Sequence, residues 1–221
     1  MNRTRIDWPG HPQTGAFFTL NPVVGCIRGC EYCYAKEAHT KRYEALKRGK
    51  KMPDCYKYPF HEIKFYPERL KELQTRRKPA RIFLNSVSDP KYWKPEWMCQ
   101  ILFIIGCNHN IECMILSKNT SSYYEYDFPE NCMCGLTITG LNNGKDFTEL
   151  VLHKQKHRPF LSIEPLLGKI PKMDYDSFEL VIVGAMTGKG AIKPQKQWIE
   201  SVRDNVPESK LYWKESIRKF L

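Results

Sequence analysis

The sequence predicts an α/β protein built on a parallel sheet. Six short apolar or β-branched stretches recur along the 221 residues, and helical patterns separate most of them. A strand followed by a helix, repeated several times, requires right-handed crossovers between parallel neighbours. Either an open doubly wound sheet or an incomplete barrel fits this alternation.

The predicted elements alternate along the whole chain. Runs of apolar or β-branched residues of strand length predict strands at Ala16–Leu20, Arg81–Val87, Ile111–Leu116, Met133–Ile138, Phe160–Ile163 and Leu180–Val183. Helical patterns predict helices at Tyr34–Lys47, Pro67–Arg77, Pro95–Gly106, Phe147–Gln155 and Pro194–Asn205. Three of these helices open with proline, which suits the first helical turn. Because glycine and proline are spread evenly, we expect a single domain, residues 1–221.

Composition and apolar patterning indicate a globular protein and disfavour membrane and secreted proteins. A hydrophobic content of 42% is enough for one sizeable core. The longest apolar run near a helix, Ile101–Ile105, is far shorter than the roughly 20 residues that a bilayer requires, so we expect no membrane association. The first 15 residues contain no apolar stretch typical of a signal peptide. We therefore expect a cytoplasmic protein.

The cysteine content favours reduced thiols. Nine cysteines, an odd number without a secretory signal, are not typical of a disulfide framework. We interpret Cys99, Cys107 and Cys113 as small buried hydrophobic residues, because their neighbours are apolar. Cys132 and Cys134 share one face of a predicted strand, and we expect them to line the barrel interior rather than to bind a metal.

Three cysteines are gathered in the string GCIRGCEYCYAK, residues 25–36: Cys26, Cys30 and Cys33. Structural zinc requires four protein ligands, commonly as two separated pairs. A 4Fe-4S cluster has four irons, so three cysteines leave one iron open to a small molecule. The three cysteines are therefore predicted metal ligands.

Polar residues follow the predicted strands. In parallel α/β folds the chemistry collects at the carboxyl ends of the strands. We expect the residues after these strands to outline a rim, at Asn85–Asp89, Ser117–Asn119, Thr137–Gly140, Ser162–Pro165 and Gly184–Gly188.

The spacing C-x3-C-x2-C, with Tyr32 directly before the last cysteine, resembles the signature of the radical S-adenosylmethionine (SAM) superfamily. The string NPVVGCIRGCEYCYAK is similar to the cluster loop of the branch that contains spore photoproduct lyase. The strings IFLNSVSD, MILSKN, FLSIEPLLG and LVIVGAMTGKGA resemble strand ends of a phage-associated, radical-SAM-like branch. The similarity extends from about Asn21 to the carboxyl terminus.

This resemblance implies a partial (βα)6 TIM-like barrel, with the cysteine loop, residues 22–34, near its mouth. It implies an enzyme that cleaves SAM reductively at a 4Fe-4S cluster and abstracts hydrogen through a 5′-deoxyadenosyl radical. Cys26, Cys30 and Cys33 would hold the cluster, and Tyr32 would lie against the adenine. The residues implied to contact the amino, carboxylate and ribose groups of SAM are Asn85, Ser86, Ser117, Ser162 and Glu164. The implied partner is an electron donor such as flavodoxin or ferredoxin.

Positive charge is concentrated in residues 36–78, the basic segment. The chain has a net charge of +11, and this segment holds 14 Lys and Arg against 6 Asp and Glu, interleaved with tyrosine and phenylalanine. Basic residues pair with phosphates and aromatic rings stack on bases, which predicts a nucleic-acid partner bound through Lys47, Arg48, Lys50 and Lys51. A solvated helix face with a few packed aromatic residues has the same composition.

A second hypothesis is a non-catalytic nucleic-acid-binding protein in which the three cysteines and a fourth ligand hold zinc. His39 and Cys55 are the nearest additional ligands, and neither has an obvious zinc spacing. The sequence favours the enzyme.

Overall fold

The computed structural model describes residues 1–4, 6–140, 158–188 and 190–221. The strands are β1 (Asn2–Arg3), β2 (Phe17–Thr19), β3 (Val23–Val24), β4 (Lys64–Phe65), β5 (Ala80–Phe83), β6 (Ile111–Ser117), β7 (Cys132–Ile138), β8 (Arg158–Ile163), β9 (Leu180–Val183) and β10 (Leu211–Trp213). The α-helices of this part of the chain are α1 (Tyr34–Lys47), α2 (Lys71–Gln74), α3 (Pro95–Gly106), α4 (Lys196–Asn205) and α5 (Glu215–Arg218).

The main sheet has the order β1-β2-β5-β6-β7-β8-β9-β10. β1 pairs with β2 in antiparallel fashion, and the seven strands from β2 to β10 are parallel. Strand order follows chain order without the reversal that defines a doubly wound sheet. The sheet is a curled half-barrel, which confirms the predicted partial TIM-like barrel and decides between the two alternatives.

Two apolar clusters cover the two faces of this sheet, as the alternation of side chains along each strand requires. On the outer face, strand residues such as Ile82 and Ile115 pack with α3 and α4 through Ile101 and Val202. On the inner face a smaller cluster fills the half-barrel below the strand ends; its buried members are Trp8, Phe83, Met114, Met133, Phe160 and Ile182. The strand ends therefore stand above a filled interior.

Several predicted boundaries agree with the structure and others are wrong. Pro67 opens a 3-10 helix, Pro67–Leu70, that continues into α2 and ends three residues before the predicted Arg77. Pro95 opens α3 as predicted, whereas Pro194 precedes Gln195, the N-cap of α4, and lies outside that helix. The predicted helix Phe147–Gln155 lies outside the described residues.

Strand β10 was not predicted. It is three residues long and only half-buried, so it has neither the length nor the apolar run that marks a strand in the sequence. It pairs in parallel with β9, Tyr212 opposite Ile182, and adds a seventh parallel strand to the predicted six.

The structure corrects the interpretation of four cysteines. Cys132 and Cys134 belong to the outer cluster, so the expectation that they line the barrel interior is wrong. Cys99 on α3 and Cys107 at the C-cap of this helix are exposed and not buried, because residues that are neighbours in sequence point to different sides of a helix. Among the described helices, none has both the length and the apolar composition needed to cross a membrane.

Candidate active site

A cavity of about 350 Å³ opens at the carboxyl ends of the parallel strands. Every residue that the sequence predicted for the site lines it: Cys26, Cys30, Tyr32, Cys33, Asn85, Ser86, Ser117, Ser162 and Glu164. These residues come from the cysteine loop and from the ends of β5, β6 and β8. The fold therefore brings together side chains that are up to 138 positions apart in the sequence.

The cysteine loop is held between the end of β5 and the segment that precedes β4. Gly25 donates its backbone N–H to the carbonyl of Val87 at 3.1 Å, and Cys26 donates to the carbonyl of Phe60 at 2.9 Å. Gly25 has a φ of +108°, and a Cβ there would lie 2.7 Å from the carbonyl oxygen of Glu62. Only glycine suits both the conformation and the space, and this close approach places Cys26 at the cavity.

The start of α1 fixes the third cysteine. Cys33 is the N-cap of the helix, and its Sγ accepts the backbone N–H of Lys36 at 3.3 Å. The Sγ of Cys26 accepts the N–H of Arg28 at 3.4 Å. Backbone donors of this kind stabilise a thiolate, the form of cysteine that binds metals.

Burial opposes ionisation of the same thiols. It raises the pKa of Cys26 to about 11, and the charges of Asp89, Cys33 and Cys30 act in the same direction. A metal bound at the loop supplies the positive charge that a thiolate requires in such surroundings.

The three thiols have the donor chemistry of a 4Fe-4S cluster. All three are half-buried, are free of disulfides and line one cavity from one loop. Within the described part of the chain, no three His, Cys, Asp or Glu side chains surround a single metal-ion position.

Tyr32 and Lys118 form the wall next to the cysteines. The Lys118 ammonium lies 5.6 Å from the centroid of the Tyr32 ring, within the range of a cation–π contact. Burial raises the pKa of Tyr32 to about 12 and lowers the pKa of Lys118. Lys118 follows β6 directly. The sequence places it in the rim of strand ends but assigns it no ligand contact.

Asn85 joins the ends of two neighbouring strands. Its Oδ1 accepts the backbone N–H of Leu116 at 2.9 Å, and its Nδ2 donates to the carbonyl of the same residue. Ser117 donates its hydroxyl to the buried carboxylate of Asp89 at 2.6 Å. Ser86 exchanges hydrogen bonds with the side chain of Asn21. These three predicted ligand contacts are therefore also part of the framework of the rim.

The opposite wall comes from β8 and β10. The hydroxyl of Ser162 is buried and makes no hydrogen bond to any described residue. The carboxylate of Glu164 accepts hydrogen bonds from the ammonium of Lys214 and, at 3.4 Å, from the indole of Trp8. Sequence reasoning missed Lys214 because it missed β10, and it missed Trp8 because no periodic pattern surrounds this residue.

Aromatic rings close the floor of the cavity. Trp8 stacks on Phe83 with ring centroids 4.5 Å apart and meets the edge of Phe160 at 5.7 Å. These rings fill the half-barrel below the site with apolar surface, so ligands reach the site from the strand ends.

The basic segment begins in the first turn of α1. Lys47, Arg48, Lys50 and Lys51 are exposed at the far end of this helix. With 14 residues, α1 places them about 20 Å from the cysteine loop. Some tyrosines of the segment are already covered by cations: Lys47 lies 4.2 Å from the Tyr43 ring and Lys64 lies 4.2 Å from the Tyr58 ring.

His39 is held by contacts with residues 56–60. It is buried, its Nε2 lies 2.9 Å from the carbonyl oxygen of Tyr58, and its ring packs against Tyr56 and Phe60. Cys55 is buried in the 3-10 helix Asp54–Tyr56. These contacts disfavour both residues as the fourth zinc ligand of the second hypothesis.

Fold and site together define an α/β half-barrel with a cysteine-rimmed cavity at its strand ends. The chain belongs to the family described as protein of unknown function (DUF5131), whose model matches residues 3–215. A search of curated proteins found no match.

Among solved structures, the chain shares its fold with a mutant of spore photoproduct lyase with bound AdoMet and dinucleoside spore photoproduct. The TM-score is 0.51 at 11% sequence identity, and the alignment covers 88% of this chain and 62% of that one. The chain thus spans less than two thirds of that neighbour.

Proposed function

We propose that the chain is a radical SAM enzyme, in which SAM cleavage at a 4Fe-4S cluster generates a 5′-deoxyadenosyl radical that abstracts hydrogen from a nucleic acid or nucleotide. The observation that carries the proposal is the position of the C-x3-C-x2-C loop at the mouth of a half-barrel cavity. The shared fold with spore photoproduct lyase, whose structure holds AdoMet, supports it.

Cys26, Cys30 and Cys33 would hold the cluster, and one iron would be left for the amino and carboxylate groups of SAM. When bound, the cluster and SAM supply the electron transfer and the radical, chemistry that no side chain provides. The protein would bind and orient the cofactors and the substrate, and it would exclude water from the site. An electron donor such as flavodoxin or ferredoxin is the proposed partner.

The remaining walls suit the rest of SAM. Tyr32 offers an aromatic face for the adenine, next to the cation of Lys118. Asn85, Ser86 and Ser117 keep the rim rigid through their contacts with the main chain, Asn21 and Asp89. Ser162 and Glu164 present polar atoms on the opposite wall. A rigid rim lowers the entropy cost of binding and holds the reacting groups in place.

The nucleic-acid part of the proposal rests on charge. The exposed residues Lys47, Arg48, Lys50 and Lys51 lie at the far end of α1, about 20 Å from the cysteine loop, and a chain-like polyanion is long enough to reach both. The dinucleoside in the spore photoproduct lyase structure is consistent with this class of substrate.

Anaerobic purification and reconstitution test the proposal. We expect a brown protein with about four irons and four sulfides per chain. Addition of SAM to the reduced protein should change its electron paramagnetic resonance (EPR) spectrum, because SAM would bind the iron that the three cysteines leave open. A colourless, zinc-loaded protein, or a spectrum that saturating SAM leaves unchanged, contradicts the proposal.

A further inference from the structure

Lys214 is a buried lysine at the cavity, and its ammonium pairs with Glu164. The two side chains are 11% and 29% exposed. A buried ammonium is strongly unfavourable unless it is paired and hydrogen-bonded. The backbone N–H of Lys214 donates to the carbonyl of Val183 at 2.9 Å, so the edge of the sheet fixes where this side chain begins.

Gly184 leaves room for the pair. A Cβ on Gly184 would lie 2.9 Å from Cδ of Lys214 and 3.2 Å from Cδ of Glu164. Any side chain at this position displaces one partner or the other. Glycine at residue 184 therefore leaves the space in which the two charged side chains meet.

Trp8 holds the second oxygen of the same carboxylate. Its indole Nε1 lies 3.4 Å from Oε2 of Glu164, while Lys214 donates to Oε1. Asp7, the residue before Trp8, ties the segments of the two donors together. It accepts hydrogen bonds from the Tyr212 hydroxyl and from the backbone N–H of Glu215, which lie on either side of Lys214 in the sequence. The carboxylate is thus fixed from two directions by segments that are themselves tied together.

The charge balance indicates which ligand group suits this wall. Lys214 neutralises Glu164, so the pair has no need of a second cation, and the remaining lone pairs of the carboxylate suit neutral donors such as hydroxyls. Ser162 precedes Glu164 by two residues, lines the same cavity and is 1% exposed without a described hydrogen-bond partner. Buried hydroxyls are nearly always bonded, so Ser162 indicates a ligand atom within its reach.

We infer that Lys214 and Trp8 are positioning residues that hold the Glu164 carboxylate to accept hydrogen bonds from ribose hydroxyls, with Ser162 as a second contact. The inference rests on the proposed function and deepens it, because it assigns the ribose of SAM to the wall made by β8 and β10. In this role the Lys214 ammonium acts on the ligand through Glu164.

Equilibrium dialysis with two probes, adenosine and 2′,3′-dideoxyadenosine, tests the inference. We expect the wild-type protein to bind adenosine about tenfold more tightly, a difference of about 1.4 kcal/mol. Lys214→Met should abolish this preference, whereas Lys214→Arg, which keeps a cation, should restore much of it. Trp8→Phe keeps the stacked ring, removes the N–H donor and should reduce the preference.

Lys196→Met is the matched control. Lys196 forms an exposed ion pair with Glu200, its side chain being 90% exposed, so its removal should leave the preference unchanged. Thermal unfolding of every variant separates positioning from stability. Lys214→Met or Trp8→Phe with a lowered melting temperature and the wild-type preference would show a structural role only and overturn the inference.

Different results contradict the ribose assignment and the radical SAM proposal. A wild-type protein that binds the cluster and responds to SAM, yet binds both nucleosides equally, overturns only the ribose assignment. A protein without cluster iron that still prefers adenosine, and loses this preference in Lys214→Met, overturns the radical SAM proposal and supports the positioning role.

Discussion

The hydroxyl of Tyr212 donates a hydrogen bond to Oδ1 of Asp7 at 2.7 Å and joins residues that are 205 positions apart. Oδ2 of the same carboxylate accepts the backbone N–H of Glu215. Asp7 thereby fastens the segment that carries Trp8 to the last strand of the half-barrel. Since Trp8 forms the floor of the cavity, this contact couples the two ends of the chain to the site.

We expect the Asp7 contact to make stability depend on pH. Burial is the largest influence and acts to raise the pKa of Asp7, but the hydrogen bonds from Tyr212 and Glu215, with the charges of Lys214 and Arg218, lower it overall. A lowered folded-state pKa means that the stabilisation is fully present above the unfolded value of about 3.9. It is lost as pH falls through the folded pKa.

Urea unfolding of the wild type and Asp7→Asn checks this expectation. Between about pH 6 and about pH 2 the wild type should lose more stability than the variant, because the variant has no carboxylate to protonate. Asp54→Asn is the control, since the Asp54 side chain is 78% exposed. Equal pH dependence in the wild type and Asp7→Asn would show that this carboxylate is not linked to folding.

A second prediction concerns the filled interior of the half-barrel. A Cβ on Gly135 would lie 2.2 Å from Cζ of Phe160, well inside van der Waals contact. Gly135→Ala should therefore destabilise the protein by about 1–3 kcal/mol through overpacking. It should also displace Phe160 and the rings that close the cavity floor.

Gly106→Ala is the opposing control, measured by the same thermal unfolding. Gly106 is the last residue of α3, and its nearest contact for a Cβ is Pro129 at 3.4 Å. Alanine is favoured over glycine in a helix, so this change should be neutral or stabilise by up to about 1 kcal/mol. Similar effects from the two substitutions would contradict the packing assigned to Phe160.

The sequence predicted the parts of the fold that have a strong local signal. α1 begins and ends at the predicted residues, and β9 matches its apolar run, because amphipathic helices and buried strands leave clear periodicities. β10 has no such signal, and its position depends on pairing with β9. The choice between a half-barrel and a doubly wound sheet depends on strand order, which no local pattern encodes.

The site was predictable where it follows strand ends and unpredictable where it depends on tertiary contacts. The rule that polar residues gather after parallel strands located Ser162 and Glu164 in the cavity. The same rule applies to Lys214, which directly follows β10, but it could not be used because the sequence does not predict β10. The engagement of Asn85 with the main chain of Leu116 depends on geometry across two strands, which the sequence does not show.

The third prediction concerns the cysteine loop. Cys26→Ala, Cys30→Ala and Cys33→Ala should each lose the cluster and with it SAM cleavage, because three thiolates are required to leave one iron open. Iron and sulfide analysis after anaerobic reconstitution measures the first effect, and release of 5′-deoxyadenosine measures the second.

Cys99→Ala and Cys107→Ala are the controls for this series. Cys99 on α3 and Cys107 at its C-cap are exposed and do not line the site cavity, so both variants should keep the full iron content. A Cys26, Cys30 or Cys33 variant that retains its iron and cleaves SAM would remove that residue from the ligand set.

The last prediction concerns the basic segment. If Lys47, Arg48, Lys50 and Lys51 contact a phosphate backbone, their reversal to Glu should weaken single-stranded DNA or RNA binding. The salt dependence should also become flatter, because the slope of log K against log salt falls by about 0.7 for each phosphate that the protein no longer neutralises. Fluorescence anisotropy over a range of salt concentrations measures both changes.

Reversal of four other exposed lysines, Lys169, Lys172, Lys193 and Lys196, gives the same change in net charge outside the segment. A nucleic acid held by general basicity responds equally to both sets, because long-range attraction depends on total charge. A nucleic acid held along α1 responds mainly to the first set, since a phosphate contact acts at short range. Equal responses, or binding that neither set affects, would contradict the assignment of this surface and favour a small substrate held entirely within the cavity.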